Sequence, residues 1–166
     1  MLAHRKRIDS VDTEARGGEI RPVKALGIDF GEKRIGLAVS DAAGRYALAW
    51  RTLERRSDQQ AIAELAALAA EESIDWLVIG DPRNLDGSSG SQSERVAAFS
   101  RKLRDALQIP VEMVNESLTS HEAAARLREA NLPARRRREL LDSMAAQILL
   151  QEALDRRSAA TERESE

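Results

Sequence analysis

The segment Val23–Ser40 constrains the fold most, because it reads as two strands joined by a tight turn, and the first strand has two unlike faces. Side chains alternate across a strand. In Val23–Phe30 the even positions after Lys24 are Leu26, Ile28 and Phe30, whereas the odd positions are Val23, Ala25, Gly27 and Asp29. One face is bulky; the other is small and ends in a carboxylate. Gly31, Glu32 and Lys33 supply the turn, and Arg34–Ser40 returns with Ile35, Leu37 and Val39 on one face.

A third strand, Tyr46–Leu53, follows the turn at Gly44. The periodicity then changes. Asp58–Glu72 carries Ile62, Leu65 and Ala69 at helical spacing, and Trp76–Gly80 is a short apolar strand of the kind buried in a parallel sheet. It ends at Asp81-Pro82, and a polar loop over Leu85–Gly90 follows. Ser91 and Glu94 are spaced as a capping box, ahead of a helix with Val96, Phe99, Leu103 and Leu107 as its buried stripe. Val111–Asn115 is the last strand. Thr119 and Glu122 form a second capping box, and the helix they start is broken at Asn131-Leu132-Pro133. The final helix is expected to run to about Asp155, with Leu141, Ala145, Ile148 and Leu149 facing inward. The order βββαβαβαα implies an α/β fold, a mixed sheet with helices on both faces. Most of the aromatic residues Phe30, Tyr46, Trp50, Trp76 and Phe99 read as buried. Residues 1–21 read as a flexible N-terminal arm, 22–156 as one domain and 157–166 as a flexible acidic tail.

Composition narrows the chemistry. The chain has 166 residues, no Cys and two His, which excludes disulfides, thiolate zinc sites, cysteine nucleophiles and a histidine-based zinc site. It has no long apolar run and no signal-peptide pattern, so it reads as soluble, cytoplasmic and free of membrane contact. Against this background three acids stand next to apolar residues: Asp29 in LGIDFGEKRIGLAVSD, Glu116 in VEMVNESLTSHEA and Asp142 in ELLDSMAAQILL. A carboxylate in such a setting is costly unless it is paired or holds a metal. Asp29 shares its face with Ala25 and Gly27, which leaves room for an ion, and Asp142 has Ala145, Ala146 and Leu149 beside it at helical spacing. Each also has an ordinary reading, as a strand-end or helix N-terminal acid. Together they point to oxygen ligands for Mg²⁺ or Mn²⁺ and to phosphate-ester chemistry.

Net charge is −2, but the basic residues are clustered. Arg135, Arg136, Arg137 and Arg138 follow Pro133 in the first turn of the last helix, where the helix dipole disfavours cations. Backbone phosphates of a nucleic acid would offset that cost; a solvated loop is the alternative. Lys33 and Arg34, in the first turn, are candidates for phosphate contact or a plain surface pair. Asn84, with Asp86, Gly87 and Ser88–Ser91, forms a polar loop ahead of a helix N-terminus, which suits phosphate. Arg55, Arg56 and Arg5–Arg7 read as surface.

Four segments in order, LGIDFGEKRIGLAVSD, VIGDPRNLDGSSG, VNESLT and LLDSMAAQILL, resemble the YqgF or RuvX family of the RNase H-like nuclease superfamily over about residues 23–155. The resemblance implies an RNase H-like fold with a five-stranded mixed sheet of order 3-2-1-4-5, strand 2 antiparallel to the rest. It implies a metal-dependent nuclease with Asp29, Glu116 and Asp142 as catalytic acids. Family members are linked to 5′-end processing of pre-16S ribosomal RNA, and some to cutting Holliday junctions. The implied partner is structured RNA or branched DNA; the junction reading also requires a homodimer, since two symmetric cuts are made. Two departures concern substrate contacts. Asn115-Glu116-Ser117-Leu118 stands where the family often has Asp-Glu-Arg-Leu, and Asp81 replaces a usual apolar residue. The missing acid at Asn115 leaves a non-catalytic RNA-binding relative as an alternative. The first hairpin is also similar to the phosphate hairpin of sugar kinases and actin-like ATPases, but 166 residues are too few for their duplicated domain.

Overall fold

The computed structural model describes residues 22–82, 90–115 and 131–164. Within them the elements are β1 (Ala25–Phe30), β2 (Arg34–Ser40), β3 (Ala47–Glu54), α1 (Asp58–Glu71), β4 (Trp76–Asp81), α2 (Ser91–Leu107), β5 (Val111–Asn115) and α3 (Ala134–Glu164). The N-terminal arm, most of the polar loop after β4 and the helix expected after Thr119 lie outside the described residues.

The five strands form one sheet in the order β3-β2-β1-β4-β5. β2 is antiparallel to β1 and β3, while β1, β4 and β5 run parallel, as expected. The two faces of β1 sort the helices. Leu26, Ile28 and Phe30 join Ile35, Leu37, Leu77 and Ile79 under α1 and α2, where Leu65, Val96, Phe99 and Leu103 complete one core. Ala25 lies on the other face with Ala38, Ala47, Trp76, Val78 and Val114, under Ala146, Leu149, Leu150 and Ala153 of α3. The small face of β1 lets α3 come close: a Cβ added to Gly27 would lie 2.8 Å from both the Ala146 carbonyl oxygen and the Leu150 Cβ.

Side chains of α3 also fasten it to the open edge strand. Gln151 accepts from the Ala47 amide at 2.8 Å and donates to the Arg45 carbonyl at 3.0 Å, while Gln147 donates to the Ala47 carbonyl at 2.9 Å. Thr52 donates to the Glu139 carbonyl at 2.8 Å. The two bonds at Ala47 occupy backbone groups that an edge strand would otherwise present to another chain.

Three local expectations need correction. The N-cap of α2 is Gly90, and Ser91 is the first helical residue, so Ser91 and Glu94 do not form a capping box; it is the Ser93 hydroxyl that is used, donating to the buried Asp81 carboxylate of β4. The buried stripe of α3 is Ser143, Ala146, Leu149, Leu150, Ala153 and Leu154, whereas Leu141, Ala145 and Ile148 are only half-buried, because Gly27 and Gly36 receive the helix along a neighbouring ridge. The same helix continues through Glu164, past the end expected near Asp155. No Gly or Pro follows Pro133 to stop it, and Arg157 stacks over the Trp76 ring at 5.4 Å. Most of the aromatic residues are buried as expected, Phe30, Trp76 and Phe99 among them, while Tyr46, just before the edge strand, is 67% exposed. No helix among the described residues is long and apolar enough to cross a membrane.

Candidate active site

Asp29 is the penultimate residue of β1 and stands directly opposite Gly36 of β2. Residues directly opposite in an antiparallel pair project to the same face. Gly36 faces α3, because a Cβ there would lie 2.0 Å from the Asp142 carbonyl oxygen and 2.9 Å from its Cα. Asp29 and Asp142 are thus brought to the same end of the sheet and the same face, with a glycine as the seat on which the helix rests. Both are half-buried.

Arg34 starts β2 two residues before Gly36, on the same face. Its Nε donates to Asp142 Oδ2 at 2.7 Å. The turn that carries Lys33 into Arg34 is held from behind. Arg55 donates from its amide to the Lys33 carbonyl at 2.8 Å and from its guanidinium to the Glu32 carbonyl at 2.7 Å, and it stacks over Phe30 at 4.7 Å. Its other terminal amine reaches Asp58 at 2.5 Å, and Arg95 pairs with the Glu32 carboxylate. Hydrogen bonds from Lys102 and Arg55 hold the Asp58 carboxyl below the ordinary aspartate range. Arg55 therefore positions the turn and is not plain surface. Only its proximity in sequence to the strand end could have signalled this, since the partner Glu32 is 23 residues away.

Lys33 and Arg34 line a cleft of about 380 Å³ together with Thr52, Glu54, Arg135, Arg138 and Glu139. Asp142 is not part of the lining but is joined to it through Arg34, and the cleft gathers four of the cations singled out in the sequence. The arginine run does not act as one patch. Arg135 and Arg138 are one turn apart and face the cleft; Arg135 pairs with Glu139 at 3.2 Å. Arg137 is half-buried and donates to the Leu132 carbonyl at 2.8 Å, which ties down the segment before the helix. Arg136 is exposed and lies outside the cleft lining.

Glu116 and Asn84 lie outside the described residues. The two departures from the family pattern can be placed. Asp81 pairs with Asn115 in register, one position beyond the Gly80–Val114 pair. Val114 belongs to the α3 side of the sheet, so Asp81 and Asn115 project to the α1 and α2 side, away from Asp29. Asp81 is buried there under Ser93. The acid absent at Asn115 is therefore not one taken from the Asp29 face, and the argument for a non-catalytic protein loses its support.

The donor chemistry suits a divalent cation. Asp29 and Asp142 offer hard carboxylate oxygens on one face, and the glycine seat leaves no side chain between strand and helix. No group of three His, Cys, Asp or Glu side chains occurs among the described residues.

Comparison with known proteins decides the family. Residues 23–156 match the model of a family described as "RuvX: Holliday junction resolvase". The chain belongs to the RuvX family. A relative from Crocosphaera subtropica, with the curated name "Putative pre-16S rRNA nuclease", is 41% identical over 138 residues, covering 83% of this chain and 96% of its own. A relative from Moorella thermoacetica with the same name is 41% identical over 134 residues, covering 81% and 96%. Among solved structures, Thermus thermophilus RuvC in complex with a Holliday junction substrate aligns with a TM-score of 0.53 at 14% identity, over 82% of this chain and 96% of that one. That likeness concerns the fold, a RuvC-like sheet with helices on both faces. RuvX membership makes the chain a nuclease, the class its four motifs implied.

Proposed function

We propose that this RuvX protein hydrolyses phosphodiester bonds in the 5′ leader of pre-16S ribosomal RNA, using Mg²⁺ or Mn²⁺ held by Asp29, Asp142 and Glu116. The observation that supports the reading is that the Asp142 backbone rests on Gly36, the residue opposite Asp29, while Arg34, which pairs with Asp142, lines a cleft with Lys33, Arg135 and Arg138. The name shared by the curated relatives supports the RNA substrate. A divalent cation held by these carboxylates would supply an activated water and offset charge on the leaving oxygen. The chain's own residues do the rest. The two carboxylates stand on elements packed against each other at Gly36, and groups oriented by rigid elements need little reorganisation as charge develops. Arg135 and Arg138, with Lys33, hold the backbone phosphates next to the scissile one; Asn84, which lies outside the described residues, remains a candidate for a further phosphate contact from sequence alone. Backbone contacts of this type fix register without reading sequence.

The family description favours a second substrate, the four-way DNA junction. That reading needs two copies of the chain to make paired cuts. The test incubates the protein with Mg²⁺ or Mn²⁺ and an end-labelled pre-16S leader transcript, duplex DNA and a four-way junction in parallel. The proposal expects leader cleavage that chelator abolishes and that Asp29→Asn and Asp142→Asn lack. Cleavage of the junction alone would replace it with the resolvase reading. No cleavage of any substrate would contradict both.

A further inference from the structure

The pair Arg34–Asp142 joins residues 108 positions apart, and the backbone on each side of it is fixed. Asp142 is seated on Gly36, and the turn before Arg34 is held by Arg55. Their side chains are 38% and 23% exposed, so the contact is neither a free surface pair nor sealed from solvent. The same Arg34 lines the cleft with Lys33, Arg135 and Arg138. One guanidinium therefore touches the carboxylate assigned above to the cation and also faces the space assigned to phosphate.

Those two positions compete. A guanidinium on Asp142 neutralises the charge that attracts a divalent cation and repels that cation directly. A backbone phosphate, with one negative charge shared by two free oxygens, offers the same guanidinium a bidentate partner. We propose that Arg34 is a phosphate-operated counter-ion. It pairs with Asp142 until a backbone phosphate enters the cleft, turns to that phosphate, and so frees the carboxylate for the cation. Arg34 is then a positioning residue that makes cation binding and nucleic-acid binding mutually reinforcing, and linkage requires the effect to be equal in both directions. The inference rests on the proposed roles of Asp142 and the cleft.

The test measures Mn²⁺ affinity by electron paramagnetic resonance of the free ion, for the wild type, Arg34→Gln and Asp142→Asn, with circular dichroism to show that each is folded. RNA affinity is measured by fluorescence anisotropy on an RNA hairpin with cleavage-resistant backbone linkages, with and without Mn²⁺. Without RNA, Arg34→Gln is expected to bind Mn²⁺ on the order of tenfold more tightly than the wild type, since a unit positive charge near a divalent ion is removed. Mn²⁺ is expected to strengthen hairpin binding more in the wild type than in Arg34→Gln. A merely structural Arg34 would give the opposite result, weaker Mn²⁺ binding in the variant. Equal or weaker Mn²⁺ binding by Arg34→Gln, while Asp142→Asn still loses the ion, would overturn the counter-ion role and leave the metal site standing. If Asp142→Asn bound Mn²⁺ as the wild type does, the site itself would be wrong and the inference would fall with it.

Discussion

Gly36→Ala is the change that most sharply separates the geometry described above from a generic α/β packing. The added Cβ would lie 2.0 Å from the Asp142 carbonyl oxygen and 2.2 Å from its carbonyl carbon. Real Cβ contacts do not fall below 3.0 Å, and neither neighbour is a side-chain end that can rotate away. The first turns of α3 must therefore retreat by about 1 Å or more, and overpacking of this kind costs about 1–3 kcal/mol. For a chain of 166 residues that is a fall in Tm of roughly 2–12 °C. The same retreat carries Asp142 away from Asp29, and a misplacement of about 1 Å at a reacting centre can cost about 100-fold in rate. Gly44→Ala is the control. Gly44 has φ +67° and its Cβ would meet the Val23 carbonyl at 2.5 Å, so the substitution is also strained, but it sits in the β2–β3 turn at the opposite end of the sheet. Thermal melts and initial cleavage rates are read for both, at a temperature where both are folded. Gly36→Ala is expected to lose stability and activity, and Gly44→Ala stability alone. The reasoning fails if Gly36→Ala is as stable as the wild type, or if the two variants lose activity equally.

Three further outcomes follow from the same structure. Replacing Arg135 and Arg138 together by Ala should reduce the salt slope of nucleic-acid binding by roughly two units, while Arg136→Ala leaves it nearly unchanged; equal slopes for the double variant and the wild type would remove the cleft from the interface. The Asp58 carboxyl is held below its ordinary value by Lys102 and Arg55, so its contribution to stability is complete above the unfolded aspartate value of about 3.9 and is lost as pH falls through the lowered folded value; Asp58→Asn should flatten that part of the acid limb in urea melts taken between pH 2 and 5. Ser73, which ends α1 at φ 55°, passes the Ile74 amide to the Ala69 carbonyl at 2.9 Å, the pattern that favours glycine, so Ser73→Gly should stabilise the fold by about 1 kcal/mol in the same melts, and a loss of stability would contradict the assignment.

The fold was largely legible in the sequence because β1 declares both its faces. Bulky even positions and small odd positions state which side takes the two packed helices and which takes one helix at close range. The alternation after β3 then leaves little freedom in the order of the strands. What could not be read locally depends on pairing between distant residues. The register of α3 is set by Gly27 and Gly36, more than 100 positions upstream, so its inward stripe was displaced from the one that hydrophobicity alone picks out. The start of α2 is governed by Ser93 reaching Asp81 in another element. At the site, Asp29 and Asp142 are marked by type and by small neighbours, and they lie on the same face at the same end of the sheet. The arginine run looked uniform in sequence, yet helical geometry sends Arg135 and Arg138 to the cleft and leaves Arg137 to bind Leu132. Arg34 was visible only as a cation near a turn, and its pairing with Asp142 has no local signal.

Asp29 and Asp142 are proposed to hold one divalent cation together. The direct measurement is anomalous scattering from crystals of the protein soaked in Mn²⁺, with an RNA hairpin bound. The account predicts a manganese peak at ligand distance, about 2.0–2.6 Å, from carboxylate oxygens of both residues, absent in Asp142→Asn crystals treated alike. A fully occupied manganese that touches neither carboxylate, or one that persists unchanged in Asp142→Asn, would contradict it.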